Sequence, residues 1–411
     1  MTDRTEIERF YRDEYGRVLA TVIKLVRDFD VAEDAVSGAF EVALERWPRD
    51  GMPANPRAWV VAAARNKAID VIRRAGRFAA IRSELEHTLE SAAELDLPDA
   101  AIPDERLRLI FTCCHPAIAL DAQVALALRT LCGLSTDEIA RAFLVATPTL
   151  AQRLVRAKRK IAEAGIAYEV PPPELLADRL DAVMAVVYLV FNEGYSASKG
   201  DALVRADLTR EAIRLGRLLV ELLPGSPEVR GLLALMLLHD ARRATRTDAE
   251  GDLVLLEDQD RTRWDAAQIA EGLALAAAAA SARPPGPYAL QAAIAAEHAR
   301  AKRADDTDWA AIARHYDELA AARPGPVVEL NRAIAIAMAG DLEAGVALVR
   351  DLERQGGLEH YYLLAAAKAD LLRRLGRFEE AAADYRRALE RAGTEPERRY
   401  LKRRLAAVER H

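Results

Sequence analysis

The chain has 411 residues, more than one hydrophobic core organises, so several modules are expected. Hydrophobic residues at 51% and charged residues at 30% exclude compositional disorder, and 6% aromatics beside abundant Ala, Leu and Arg point to an all-α fold. A formal net charge of -6 excludes a chain that coats DNA with its whole surface, so any nucleic-acid surface must be local.

The opening MTDRTEIERF lacks the apolar core of a signal peptide, and no apolar run approaches the roughly 20 residues of a bilayer span. A cytoplasmic chain with no membrane partner is expected. Residues 10–47 read as two helices, the first with Tyr11, Tyr15, Val18, Val22 and Val26 at helical spacing. Asp30 followed by Glu33 has capping-box spacing and predicts a second helix from near Val31 to about Trp47, where PRDGMPANPRAW breaks it. Asn55 as cap and Pro56 at the first helical position launch a third helix through about Arg74. At about 100° per residue, Ala58, Val61, Ala62, Ala68, Ile69 and Ile72 share one face and are its expected core; Trp59, Asn66, Asp70, Arg73 and Arg74 share the other.

Periodicity fades from Arg82, and the acidic, Pro-containing LDLPDAAIPDE ends a linker. Within FTCCHPAIALDAQ, Cys113 and Cys114 are adjacent, with Cys132 further on. Adjacent helical residues point apart and closed zinc sites use spaced pairs, so buried thiols and no metal are expected. In LSTDEIARAFLVATPTLAQRLVRAKRKI, Ser135 and Glu138 form a capping box for a short helix. Thr147 and Pro148 then start a second helix with an apolar stripe of Leu150, Leu154, Ala157 and Ile161. Thr149, Gln152, Arg156 and Arg159 lie opposite, flanked by Arg153 and Lys160. A one-sign face repels itself unless phosphates neutralise it, so this pair reads as a DNA-binding helix-turn-helix.

Together these segments resemble extracytoplasmic-function RNA polymerase sigma factors, over about the first 168 residues. DFDVAEDAVSGAFEVALERW resembles the family's polymerase-binding helix, which implies that Asp30, Glu33, Asp34, Phe40 and Trp47 bear on the clamp coiled coil of the largest subunit of RNA polymerase core. NPRAWVVAAARNKAIDVIRR resembles the promoter-melting helix, which implies that Trp59, Asn66, Arg73, Arg74 and Arg77 meet opened promoter DNA. ATPTLAQRLVRAKRKI resembles the promoter-reading helix, with Thr149, Gln152, Arg153, Arg156 and Arg159 toward DNA.

The expected organisation is region two over 1–80, a linker over 81–103, region four over 104–168, a proline tether over 169–174 and a helical extension over 175–411. In the extension, LGRFEEAAADYRRALERA has tetratricopeptide spacing, with Gly376 and Phe378 at the turn and Ala381, Tyr385 and Ala388 between helices. Gly340 stands about one repeat of roughly 34 residues before Gly376, and Trp309, Tyr316 and Pro324 suggest a further copy. The arrangement resembles a sigma-factor subgroup with a fused tetratricopeptide-like domain, which implies regulation in cis and a protein or peptide partner. Two polar strings, FNEGYSASKG and LLEDQDRTRWD, interrupt these helices; Asp258, Asp260, Arg261 and Trp264 either dock subdomains or bind a ligand.

A helix-turn-helix regulator with a repeat-built sensor is the rival reading, although it has no use for the Trp59 face or the acidic second helix. An enzyme is not expected, and neither is a cofactor: the sequence holds no P-loop, GxSxG or HExxH.

Overall fold

Helices form wherever apolar positions recur every three or four residues, and a computed structural model describes residues 4–74, 102–143, 145–195, 206–248 and 251–410. The described residues are all-α, with one isolated bridge between Thr247 and Leu253 outside the helices. Among them, no helix is long and apolar enough to cross a membrane. The chain divides into two compact units, Met1–Leu189 and Val190–His411.

The first unit opens with α1 (Arg4–Val26), which buries Ile7, Tyr15, Val18, Leu19, Val22 and Ile23. Helix α2 (Phe29–Asp50) is capped by Asp28, not Asp30: its carboxylate accepts from the N–H groups of Asp30 and Val31, both at 3.0 Å. Helix α2 also runs past the expected stop at Trp47. Pro48 lies in the last turn, and Gly51, at φ 83°, closes the helix by donating to Trp47 O at 3.0 Å.

Helix α3 (Pro56–Arg74) begins as expected, with Asn55 Oδ1 accepting from Ala58 N at 3.0 Å. Its buried row is Val60, Ala64 and Ala68, whereas Ala58 and Ala62 are exposed beside Asn66 and Asp70. The expected core face is therefore rotated by about one residue. An alanine-rich helix carries little apolar contrast around its circumference, so its neighbours set the facing. Arg57 fixes the rotation by gripping Glu14 of α1 through two bonds, at 2.6 and 3.0 Å.

Helices α4 (Ile102–Cys113), α5 (Leu120–Leu131), α6 (Thr136–Ala142) and α7 (Thr147–Glu163) complete most of the unit. The segments expected as separate modules over 1–80 and 104–168 pack together, α1 lying against α4 and α5. Lys24 pairs with Glu105 at 2.8 Å, and the Tyr168 hydroxyl donates to Ala20 O at 3.0 Å. All three cysteines are buried; Cys113 Sγ lies 3.1 Å from Thr130 Oγ1, and burial pushes its thiol up to about 12. Most of the expected linker lies outside the described residues. Within the expected tether, Pro173 already begins α8 (Pro173–Tyr195), a first-turn position that needs no N–H donor.

In the second unit, α9 (Ala206–Leu222) precedes α10 (Pro227–Asp240), which is buried nearly all round from Leu232 to Leu238 and packs against α11 (Ala266–Ala279) and α12 (Pro287–Arg300). Six more helices stack in chain order: α13 (Trp309–Ala322), α14 (Pro326–Met338), α15 (Leu342–Gln355), α16 (Tyr362–Arg374), α17 (Phe378–Arg391) and α18 (Glu395–Val408). Ala381, Tyr385 and Ala388 are buried between them, and Gly376 turns from α16 into α17 at φ 74°, a left-handed conformation open to glycine.

Gly16 is the contact point of α1 with the far end of α5. A Cβ there would stand 2.8 Å from Leu131 O, a backbone atom that cannot swing away. Gly16→Ala is expected to lower the stability of the first unit by about 1–3 kcal/mol, the usual cost of overpacking, read by urea denaturation. An unchanged midpoint would show that α1 and α5 do not meet this closely.

Candidate nucleic-acid interface

The capping box predicted for α6 is formed: Ser135 N donates to Glu138 Oε2 at 2.7 Å and Glu138 N to Ser135 Oγ at 3.1 Å. Val145 N donates to Ala140 O at 3.0 Å just before α7 begins. Ala146, not Thr147, precedes the first helical turn, and the Thr147 hydroxyl instead donates to Asp137 Oδ1 at 2.8 Å, tying the two helices together. Leu150, Leu154, Ala157 and Ile161 are the buried residues of α7, as the periodicity predicts.

Thr149, Gln152, Arg156 and Arg159 are exposed, together with Val155 and Lys160. Two of the expected DNA-facing arginines carry partners: Arg153 meets Asp121 at 3.2 Å and Arg159 meets Glu163 at 2.6 Å. Among the described residues, Arg156 and Lys160 have no ion-pair partner, which leaves them as the open cations of this face.

Lys158 was missed. It flanks the apolar stripe and turns inward, its ammonium 2.8 Å from Asp30 and 2.5 Å from Glu33 on α2. Burial works against its charge, but the two carboxylates more than offset this and raise its pKa. The Glu33 side chain is 8% exposed, and Arg129 approaches its other oxygen at 3.8 Å. The positions of Lys158 between Leu154 and Ile161 and of Glu33 beside Ala32 and Val36 signal an edge-of-core location, but not the partner.

Of the residues expected to meet the polymerase, Asp30 and Asp34 are exposed, whereas Glu33, Phe40 and Trp47 are buried. Phe40 lies edge-on to Tyr11 at 4.8 Å, and Trp47 edge-on to Phe10 at 5.4 Å and to Trp59 at 5.5 Å. Phe40 and Trp47 are core aromatics that shape α2 rather than groups presented on it. The run Ala32, Val36, Ala39, Ala43, Trp47 has the spacing of a buried stripe and carried that signal. On α3, Asn66 is exposed and Trp59 is half-buried against Trp47. Arg73 and Arg74 end α3, with side chains outside the description, and Arg77 lies outside the described residues.

The family described as Sigma-70 region 2 matches residues 10–78, the span of α1 to α3. Residues 10–78 are similar to sigma-70 region 2. This supports a sigma-70 family factor, a class that acts on transcription. A family of unknown function, DUF6596, matches residues 179–280. An uncharacterized protein of Rhizobium meliloti (strain 1021) is 44% identical over 410 residues, covering 98% of this chain and 96% of that protein. The two belong to one family along their whole length. No solved structure matches.

Arg156, an open cation of α7, and Gln152, a neutral side chain exposed beside it and proposed to read a base, call for different outcomes. Arg156→Ala is expected to weaken binding to all duplexes and to reduce its salt dependence, whereas Gln152→Ala relaxes selectivity at one base pair by about 1–3 kcal/mol. Fluorescence anisotropy against a panel of duplexes separates the two; identical, uniform losses would remove the assignment of Gln152 to a base.

Proposed function

We propose that the chain is a sigma factor of the extracytoplasmic-function kind, which directs RNA polymerase core to promoters and does no chemistry of its own. The match of sigma-70 region 2 to α1–α3 carries this reading. The one-sided basic face of α7 supports it, because a sigma factor needs a second DNA-reading element upstream of the opened segment. A helix-turn-helix regulator without polymerase binding leaves the region 2 match unexplained.

In this reading α2 meets the clamp coiled coil of the largest subunit through Asp30, Asp34 and Glu33, with Phe40 and Trp47 holding the helix in shape. Asn66 and Trp59, with Arg73, Arg74 and Arg77 further along, meet opened DNA. Thr149, Gln152, Arg153, Arg156 and Arg159 read the duplex. The free chain is closed: Lys158 occupies the carboxylates that polymerase would contact, and α4 and α5 lie on α1. Binding therefore requires the two parts of the first unit to separate. The second unit acts as a tetratricopeptide-like domain that biases this opening in cis and takes a protein or peptide partner.

Run-off transcription with purified core polymerase tests the proposal. The full chain is expected to give promoter-specific transcripts that core alone does not. Lys158→Ala leaves the buried Glu33 short of a counter-charge, so the variant is expected to open more easily and bind core several-fold tighter. A chain ending at residue 205, which keeps all of α8, is expected to bind core but transcribe differently. Absence of promoter-specific transcripts from the full chain would refute the sigma reading; equal transcription by the shortened chain would refute regulation in cis.

A further inference from the structure

Three polar strings that promoter recognition leaves unused fold onto one another in the second unit. They are FNEGY, ending at Tyr195, HDARRATR over 239–246 and LEDQDRTRW over 256–264. The Arg246 guanidinium lies 3.6 Å from the Tyr195 ring centre and donates to the Tyr195 carbonyl. Arg242 and Arg261 both lie over Trp264, at 5.9 and 4.8 Å, and Arg242 donates to the Tyr195 hydroxyl at 2.8 Å. The Trp264 ring is pinned in turn, its Nε1 donating to Thr245 Oγ1 at 3.0 Å. Arg261 reaches the last turn of α12, donating to the carbonyls of His298 and Ala301, both at 2.7 Å.

Among the described residues, none of these three arginines has an ion pair with a carboxylate. Their neighbours are served otherwise: Arg243 pairs with Asp240, Arg373 and Arg374 with Asp370, and Arg399 and Arg403 with Asp252. Arg246 is 8% exposed, and a buried guanidinium without a counter-charge is costly even when it rests on an aromatic face. Burial first, then Arg242 and Arg261, hold His298 down at about 4, so its ring is neutral at pH 7. His298 Nδ1 is buried and has no hydrogen-bond partner among the described residues.

A cavity of about 490 Å³ opens beside this cluster. Arg261, His298 and Thr307 line it together with the apolar Leu255, Met338 and Trp309. Three carboxylates also line it, each already paired: Glu257 with Arg374 and Arg404, Asp305 with Arg303, and Asp370 with Arg373 and Arg374. Arginine forks suit carboxylate and phosphate groups, and an apolar wall suits a hydrocarbon body.

We propose that this cavity binds a small organic anion, a carboxylate or phosphate on an apolar body, with Arg261 facing the head and Arg242 and Arg246 supplying positive field behind it. The body lies along Leu255, Met338 and Trp309. The ligand supplies the counter-charge that the fold leaves out, and binding at Arg261 stiffens the contact of the 256–264 string with α12.

Isothermal titration of the full chain with sodium hexanoate and with monohexyl phosphate, at constant ionic strength, tests this, with hexanol as the uncharged control. Saturable binding of at least one anion is expected, at least tenfold tighter than hexanol, and the comparison of the two anions decides which head the site takes. Arg261→Gln and Arg242→Gln are each expected to weaken it at least tenfold. Arg156→Gln, on the basic face of α7, leaves it unchanged. Thermal melts check folding: because the three guanidiniums repel one another, Arg242→Gln is expected to melt no lower than the parent chain. Saturable binding of neither anion, hexanol binding as tightly, or equal binding by a folded Arg242→Gln variant would overturn the proposal.

Discussion

The buried carboxylate of Glu33 is the constraint around which the first unit is arranged. A charge at 8% exposure needs a partner, and this one is met by Lys158 at 2.5 Å and by Arg129 at 3.8 Å. Both cations come from the segment that follows the linker, so satisfying one side chain of α2 brings α5 and α7 against α1 and α2. Gly16 then permits backbone contact with Leu131, and the aromatic cluster of Phe10, Tyr11, Phe40 and Trp47 packs α1 against α2. The same ion pair links the helix proposed for polymerase to the helix proposed for DNA, so their availabilities are coupled.

What was legible in the sequence was local. Ser135 with Glu138 and Asn55 with Pro56 are decided within one helical turn, and the stripe of α7 stands out because Leu and Ile alternate with Arg and Gln. The face of α3 was not legible, because alanines at 58, 62, 64 and 68 offer no contrast and the decision falls to Arg57 and Glu14, distant in sequence. The cap of α2 was displaced for a subtler reason: Asp28 and Asp30 are both residues that can cap a helix, only Asp30 has a Glu three positions on, and the left-handed turn at Arg27, φ 53°, selects the earlier one.

The residues proposed to bear function divide along the same line. Exposure of Gln152 and Arg156 follows from periodicity alone. The burial of Phe40 and Trp47 is readable from the stripe of α2, whereas the resemblance to a polymerase-binding helix implies only that they bear on a partner. Lys158 was invisible because its role depends on an ion pair across 125 residues. In the second unit the polar strings were conspicuous in an Ala- and Leu-rich background, but only the fold shows that Tyr195, Arg246 and Trp264 converge on one corner.

A closed first unit that opens on polymerase is the central claim, and distance measurement in solution addresses it. Spin labels at Glu45→Cys on α2 and Val155→Cys on α7 occupy exposed positions, while the native cysteines are buried. Double electron–electron resonance on the free full-length chain is expected to give one short, narrow separation, and saturating core polymerase is expected to replace it with a longer one. A distribution that stays unchanged in the presence of core polymerase would contradict the account.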